Sequence, residues 1–330
     1  MRILLSSNHQ YPAYGEQGSG PHPRELPSGS GHHIKDLLAK GLSELGHEVF
    51  YLLKKGAATS LPRGVTLLAE PIADVDIYHN FAFRDEDVIA YMEEHGRPWV
   101  TTCHLDLRAR GKQLPSTTPN WIFVSKTLAH SYNSQRFVWN GIDPSDFMYS
   151  TNKENYLMFV SALDWAVDKG LDTALAVSQE AGVPLVVAGT AGTYEVIRQV
   201  EEMCRLAGAT YVGDVRGSEK ARLFAHAKAV LFPTKLNEAF GLVIAEALMS
   251  GTPVVCSNNG ACPEIVSPEV GFVCRERQDY LEAIHRLETI DPEACRARAM
   301  RDFHYLRMAA DYVNEYLAEA GGEGRTKLSN

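Results

Sequence analysis

Two glutamates, Glu238 and Glu246, stand with seven residues between them in the stretch AVLFPTKLNEAFGLVIAEALMSGTPVV, residues 229–255. The apolar run 229–233 has the length of a buried parallel strand, and a polar turn, 234–238, follows it. A helix is expected from near Ala239 to Gly251, a residue type that commonly stops helices. Thr252-Pro253 then turns the chain into a strand opening at Val254-Val255. Glu238 would lie on the loop at the carboxyl end of a strand, where open α/β sheets bind ligands. The amides of Ala239, Phe240 and Gly241, with Leu242 next in line, would be the open donors of a helix start, which attract an anion such as a diphosphate. Gly241 has no β-carbon, so a ligand can come close to the backbone there. Glu246 sits two turns along, roughly 12 Å by helix rise, so the two carboxylates could span a sugar nucleotide. Taken singly, Glu246 reads equally as a helix-surface acid and Glu238 as a complement to the helix dipole.

Other residues suit the same chemistry. His104 stands where the apolar run Trp99-Val100-Thr101-Thr102-Cys103 gives out, placed to face a ligand crevice or simply to cap the strand. Asp106, Arg108, Arg110 and Lys112 follow, either lining an acceptor path or forming a solvated basic loop. Lys169 precedes a helix and offers a point charge on a flexible stem, though taken alone it reads as a solvated lysine. Gly29 and Gly31 end a long loop, residues 8–30, whose four prolines and four glycines no helix or central strand tolerates. Tyr14 lies in that loop as a further acceptor-side candidate. His32 and His33 are neighbours on a helix and so do not share a face, which argues against a metal site.

The full string PTKLNEAFGLVIAEALMSGTPVV resembles the nucleotide-sugar site of the retaining GT-B glycosyltransferases, glycosyltransferase family 4 in particular. That resemblance implies a GT-B fold, an α/β architecture of two Rossmann-like domains facing each other across a cleft. It implies that Glu238 approaches the donor sugar and Glu246 the ribose. The segment SGSGHHIKDLLAKGLSELGHEVFYL is similar to the family's N-terminal glycine loop, which puts Gly31, and less directly Gly29, near the donor phosphate. WVTTCHLD matches a strand end whose histidine, here His104, contacts the donor sugar. SALDWAVDKGLDTALAV puts Lys169 at the donor diphosphate, and Gly213-Asp214-Val215 resembles an edge that reads the nucleotide base. One departure stands out: the family's arginine just before that lysine is missing, and Ala162 or Leu163 occupies its place. Lys169 and amides alone would then hold the diphosphate, or Arg108 or Arg110 would supply a cation. The implied reaction moves a sugar from a nucleoside diphosphate sugar to an acceptor hydroxyl with retention, with no cofactor and no metal. An epimerase or phosphorylase of the same fold, or a non-catalytic nucleotide-sugar binder, remains the alternative.

Composition fits this reading. At 330 residues the chain is long enough for two domains with real cores. Its net charge of -9 disfavours nucleic acid as a partner and gives no basic membrane-binding face. No apolar run approaches a membrane span. The six scattered cysteines form no CxxC pair and read as small buried hydrophobes in a reducing cytoplasm.

The elements that must hold these residues alternate between strand and helix. Residues 2–6, 48–53, 76–79, 99–104 and 121–124 read as strands of a first domain, 1–148, with helices at 32–45 and from Ser125-Lys126 onward. The run FVWNGIDPSDF closes that domain, and the hinge is expected between about residues 144 and 155. A donor domain, 149–302, should carry strands at 156–161, 184–189, 210–212 and 229–233. Its helices are expected at 170–179, up to about 206, at 218–227 and at 278–287. Residues 292–318 read as helical, the last part, about 303–320, packing back on the first domain.

Overall fold

The computed structural model describes residues 1–7, 32–53, 62–81, 86–108 and 120–321. The chain divides into two units, one formed by residues up to Ile142 together with His304 onward, the other by Asp143–Phe303.

The first unit carries β1 (Arg2–Ser7), α1 (His32–Glu44), β2 (Glu48–Leu53), β3 (Val65–Leu68), β4 (Ile77–Asn80), α2 (Glu86–Glu94), β5 (Trp99–Cys103), β6 (Trp121–Phe123) and α3 (Lys126–Ser131). Its strands are all parallel, in the order β3-β2-β1-β4-β5-β6. Ile3, Leu4 and Leu5 are fully buried in β1, the continuous apolar run that a strand covered on both faces requires. Strand β3 and helix α2 were not expected. β3 is a short edge strand whose middle residues, Thr66 and Leu67, are exposed, so it lacks the apolar run of an interior strand. Ser125 caps α3, its hydroxyl accepting from the Leu128 amide at 3.1 Å.

The second unit carries β7 (Leu157–Val160), α4 (Leu171–Ala181), β8 (Leu185–Ala188), α5 (Tyr194–Ala207), β9 (Thr210–Tyr211), α6 (Gly217–His226), β10 (Ala229–Phe232), α7 (Leu242–Met249), β11 (Val254–Ser257), α8 (Cys262–Ile265), β12 (Gly271–Cys274), α9 (Arg277–His285) and α10 (Pro292–Asp302). Its parallel sheet runs β12-β11-β10-β7-β8-β9. Counted within each unit, both sheets therefore follow the doubly wound order 3-2-1-4-5-6. A core of Leu157, Phe159, Leu171, Leu231 and Val255 lies between this sheet and α4 and α9.

The expected helix over 292–318 is two helices. α10 ends at Asp302, and α11 (Tyr305–Ala320) restarts with His304 as its cap, the Leu306 amide donating to His304 Nδ1 at 3.1 Å. α11 belongs to the first unit. There Arg136 pairs with Glu315 and Glu319 at 2.8 Å each, and the Tyr305 amide donates to the Ile142 carbonyl at 3.1 Å. A β-carbon on Gly141 would fall 2.6 Å from the Tyr305 Cα, so this crossing needs glycine.

Candidate functional site

In the second unit the sheet reverses direction of growth between β7 and β10, and the candidate residues collect at the carboxyl edge of those two strands. Lys169 follows β7 and Glu238 follows β10. Nothing local in the sequence joins them, yet the Lys169 ammonium donates to Glu238 Oε2 in a close ion pair. Lys169 also lies 5.5 Å from the centre of the Phe232 ring, which gives the ammonium a cation–π neighbour.

Backbone packing makes that meeting possible. Gly170 adopts a left-handed conformation (φ +88°), and a β-carbon there would sit 2.0 Å from the Pro233 carbonyl oxygen. The 168–170 turn is thus pressed against the end of β10, and the Lys235 amide donates to the Asp168 carbonyl at 2.8 Å. From the other side, Gly260 (φ +59°) would put a β-carbon 2.2 Å from the Glu238 carbonyl oxygen. The Ala261 amide donates to that same oxygen at 2.9 Å, and Asn259 Nδ2 donates to the Thr234 carbonyl at 2.7 Å. Two turns with left-handed glycines therefore hold one loop, and through it one carboxylate.

The helix after Glu238 begins later than expected. Gly241, left-handed at φ +89°, is the cap, and α7 opens at Leu242. Ala239 and Phe240 therefore precede the helix, and Phe240 is buried edge-on against Phe303 with ring centres 5.8 Å apart. The first-turn amides are those from Leu242 onward. Glu246 is not a surface acid. It is buried, and its Oε1 accepts from the buried Lys220 of α6 at 3.2 Å. Sequence reasoning missed Lys220; two polar residues on different helices leave no common spacing to read.

Asp214 and Val215 line a cavity of about 350 Å³ at the ends of β7 and β8, together with Ser161, Ala162, Asp164 and the 189–192 turn. Asp214 also pairs with Arg216, its Oδ2 accepting from Nε at 2.9 Å. Ser161 was not singled out beforehand. It is buried, and its hydroxyl has no hydrogen-bond partner among the described residues. Such a group invites a polar ligand atom. Gly189 lets the chain pass here, since a β-carbon on it would meet the Ser161 carbonyl oxygen at 2.0 Å.

In the first unit, His104 follows β5 directly. Its ring stacks on Phe81 with centres 5.8 Å apart, and Phe81 stacks on His79 at 4.1 Å. His104 Nε2 is buried without a hydrogen-bond partner among the described residues. Burial, helped by the nearby Lys35 charge, pushes its pKa down to about 3, so the ring is neutral at pH 7. His79 is fully buried and likewise held neutral. Its two nitrogens bond the hydroxyls of Tyr316 (2.6 Å) and Thr102 (2.7 Å), and Thr102 bonds Tyr312 at 2.8 Å. Helix α11 is thereby tied to the strands that carry His104.

Arg108 is exposed, with its guanidinium 4.4 Å from the Tyr132 ring centre and bonded to the Ser131 carbonyl. Gly29, Gly31, Tyr14, Arg110 and Lys112 lie outside the described residues. All six cysteines are buried free thiols. Among the described residues no group of three or more His, Cys, Asp or Glu is arranged to hold a metal, and no helix is long and apolar enough to cross a membrane.

The strand order defines a doubly wound α/β class, and comparison narrows it. Residues 147–301, most of the second unit, match the family model "Glycosyl transferases group 1". The two parallel six-stranded sheets match GT-B glycosyltransferase structures. AviGT4, a glycosyltransferase involved in avilamycin A biosynthesis, superposes with a TM-score of 0.74 at 27% identity, covering 97% of this chain and 98% of that one. HepE of Anabaena, solved in complex with UDP-glucose, gives a TM-score of 0.66 at 16% identity over 96% and 99% of the two chains, a likeness of fold. The glycogen synthase of Mycobacterium tuberculosis H37Rv is 31% identical over 204 residues, 56% of this chain and 48% of that protein. The O-antigen chain mannosyltransferase C of Escherichia coli is 23% identical over 221 residues, 61% of this chain and 59% of that protein. The match thus spans only about half the length of these curated relatives.

Proposed function

We propose that this protein is a retaining glycosyltransferase that moves a sugar from a nucleoside diphosphate sugar to an acceptor hydroxyl. The observation that carries the reading is the meeting of Lys169 and Glu238 at the point where the second unit's strand order reverses. The nucleoside enters the cavity lined by Asp214 and Val215, where backbone groups and the Ser161 hydroxyl meet it. The diphosphate lies toward Lys169 and the first-turn amides of α7, with Glu246 on the ribose and Glu238 on the sugar. Cleavage of the sugar–phosphate bond develops negative charge on the diphosphate. A preplaced ammonium stabilises that charge without reorganising, a contribution of about 3 kcal/mol for a single donor in a water-poor site.

In the free protein Glu238 balances the Lys169 charge. An arriving diphosphate takes over the ammonium and leaves Glu238 to accept from sugar hydroxyls. Retention follows from attack on the same face, the leaving phosphate accepting the acceptor's proton, so no protein nucleophile is needed. His104, held neutral, is suited to hydrogen-bond a sugar hydroxyl and does not act as a cation. We assign no metal or cofactor to the reaction and propose a cytoplasmic location, to which six buried free thiols are well suited. Names among the relatives support the class of reaction: a glycogen synthase and an O-antigen chain mannosyltransferase are among them.

A panel of nucleoside diphosphate sugars, each incubated with saccharide acceptors, tests the proposal. Transfer product with the anomeric configuration of the donor is expected from the wild type and about 10²-fold more slowly from Lys169→Ala. A product of inverted configuration, or donor binding with no product over the whole panel, would overturn it.

A further inference from the structure

A second cavity, of about 400 Å³, opens in the second unit between α4 and α9 at the carboxyl ends of β10 and β11. It shares no lining residue with the cavity beside Asp214. Two features mark it as a binding site. The first is Ser257, which lines it, is only 6% exposed, and has a buried hydroxyl with no partner among the described residues. Side chains alternate along a strand, so Ser257 points to the same side of β11 as Val255. Val255 packs with Leu171 and Ala174 of α4 and Tyr280 and Leu281 of α9, the side on which the cavity lies. The orphaned hydroxyl is therefore directed toward the cavity.

The second feature is charge. Lys235, Arg275 and Arg277 stand on the wall against Asp172 and Glu276. Lys235 is engaged by Asp172 at 2.6 Å, and Arg277 by Glu180 at 2.5 Å. Arg275 makes no ion pair among the described residues. A guanidinium and an ammonium around a pocket with hydroxyl and amide groups suit a phosphate carried on a small polyol. The volume is within the ordinary range for a small-molecule site.

We propose that this cavity is a second site, for a phosphomonoester, whose phosphate meets Arg275 and whose hydroxyls reach Ser257 and Asn259. Its wall is continuous with the loop that holds Glu238. Asn259 Nδ2 donates to the Thr234 carbonyl, and the amide of Lys235 donates to Asp168, next to Lys169. A ligand that fixes Asn259 and Lys235 thus stiffens the Lys169–Glu238 pair, and the site acts as an effector site. That last step rests on the donor reading above; the binding does not.

Calorimetric titration of the full chain tests both parts, with glycerol 3-phosphate as the probe and glycerol and inorganic phosphate as controls. Saturable binding of glycerol 3-phosphate is expected, weakened about tenfold or more by Arg275→Ala and also weakened by Ser257→Ala. Saturating UDP should not displace it, and the affinity for UDP should rise in its presence in the wild type but not in Arg275→Ala. Arg275 is exposed, so its replacement is not expected to disturb folding, and Arg277→Ala provides a second variant expected to weaken binding. No saturable heat, equal affinity in the Arg275→Ala protein, or displacement by UDP would overturn the site. Equal binding of inorganic phosphate would overturn the ester assignment. Binding with no change in UDP affinity would overturn the effector role and leave the site standing.

Discussion

The two units share a sheet order and differ at their edges. In the second unit the carboxyl edge is built from opposite charges and left-handed glycines. Lys169 pairs with Glu238, Lys220 with Glu246, and Gly170 and Gly260 let backbone pack where no β-carbon would fit. In the first unit the described edge carrying His104 is aromatic, a stack of His104, Phe81 and His79 backed by the hydroxyls of Thr102, Tyr312 and Tyr316, with the Lys35 ammonium 5.8 Å from the Phe81 ring centre. On the function proposed above, the charged edge takes the anionic diphosphate and the aromatic edge the sugar hydroxyls. The strand order says which end of a sheet can bind; the side chains and glycines at that end decide what is bound.

The largest effects should come from the charged edge. Glu246→Ala leaves the Lys220 ammonium buried without its carboxylate and is expected to cost about 3–5 kcal/mol, read as a lower urea midpoint. Gly260→Ala forces a β-carbon onto the Glu238 backbone at a left-handed position, and a loss of about 2–3 kcal/mol is expected together with lost donor binding. If either variant keeps wild-type stability, the edge is looser than its packing indicates.

Lys169→Ala leaves the Glu238 carboxylate, only 13% exposed, without its partner, so a loss of about 1–3 kcal/mol is expected together with transfer lowered about 10²-fold in kcat. In the first unit, Tyr316→Phe leaves one buried nitrogen of His79 unbonded. A cost of about 1–3 kcal/mol is expected by urea denaturation, and donor affinity should stay as in the wild type. A large loss of donor affinity in Tyr316→Phe would blur the division between the two edges.

The smallest effect is on pH dependence. His104, lowered from 6.5 to about 3, stays neutral in the folded protein while the unfolded chain takes up a proton as pH falls below 6.5. Stability should therefore decline as pH drops from about 6.5 toward 3, and His104→Asn should flatten part of that slope. An unchanged slope in the variant would mean that the ring is solvated.

Much of the fold was legible because buried parallel strands are continuous apolar runs. β1, β5, β7 and β10 declare themselves that way, whereas β3, with Thr66 and Leu67 exposed, does not. β12 also went unread, since Gly271 opens it and Val273 within it is exposed. The candidate residues Glu238 and Lys169 were legible through resemblance, but their contact was not, because it depends on Gly170 meeting Pro233 across the sheet. The start of α7 was misplaced for a related reason. Ala239 reads as the first residue of the helix, but Gly241 is left-handed and delays the helix to Leu242. Ser161 and Ser257 could not have been found beforehand, since a serine becomes informative only when it is buried and left unbonded.

Donor-dependent stabilisation tests the central claim most directly. Thermal unfolding of the wild type and of Lys169→Ala would be followed across a series of nucleoside diphosphate sugars. At about 100 times its Kd, the right donor should stabilise the wild type by about 2.7 kcal/mol, and the variant at the same concentration should gain much less. Equal stabilisation of the two proteins would contradict the account.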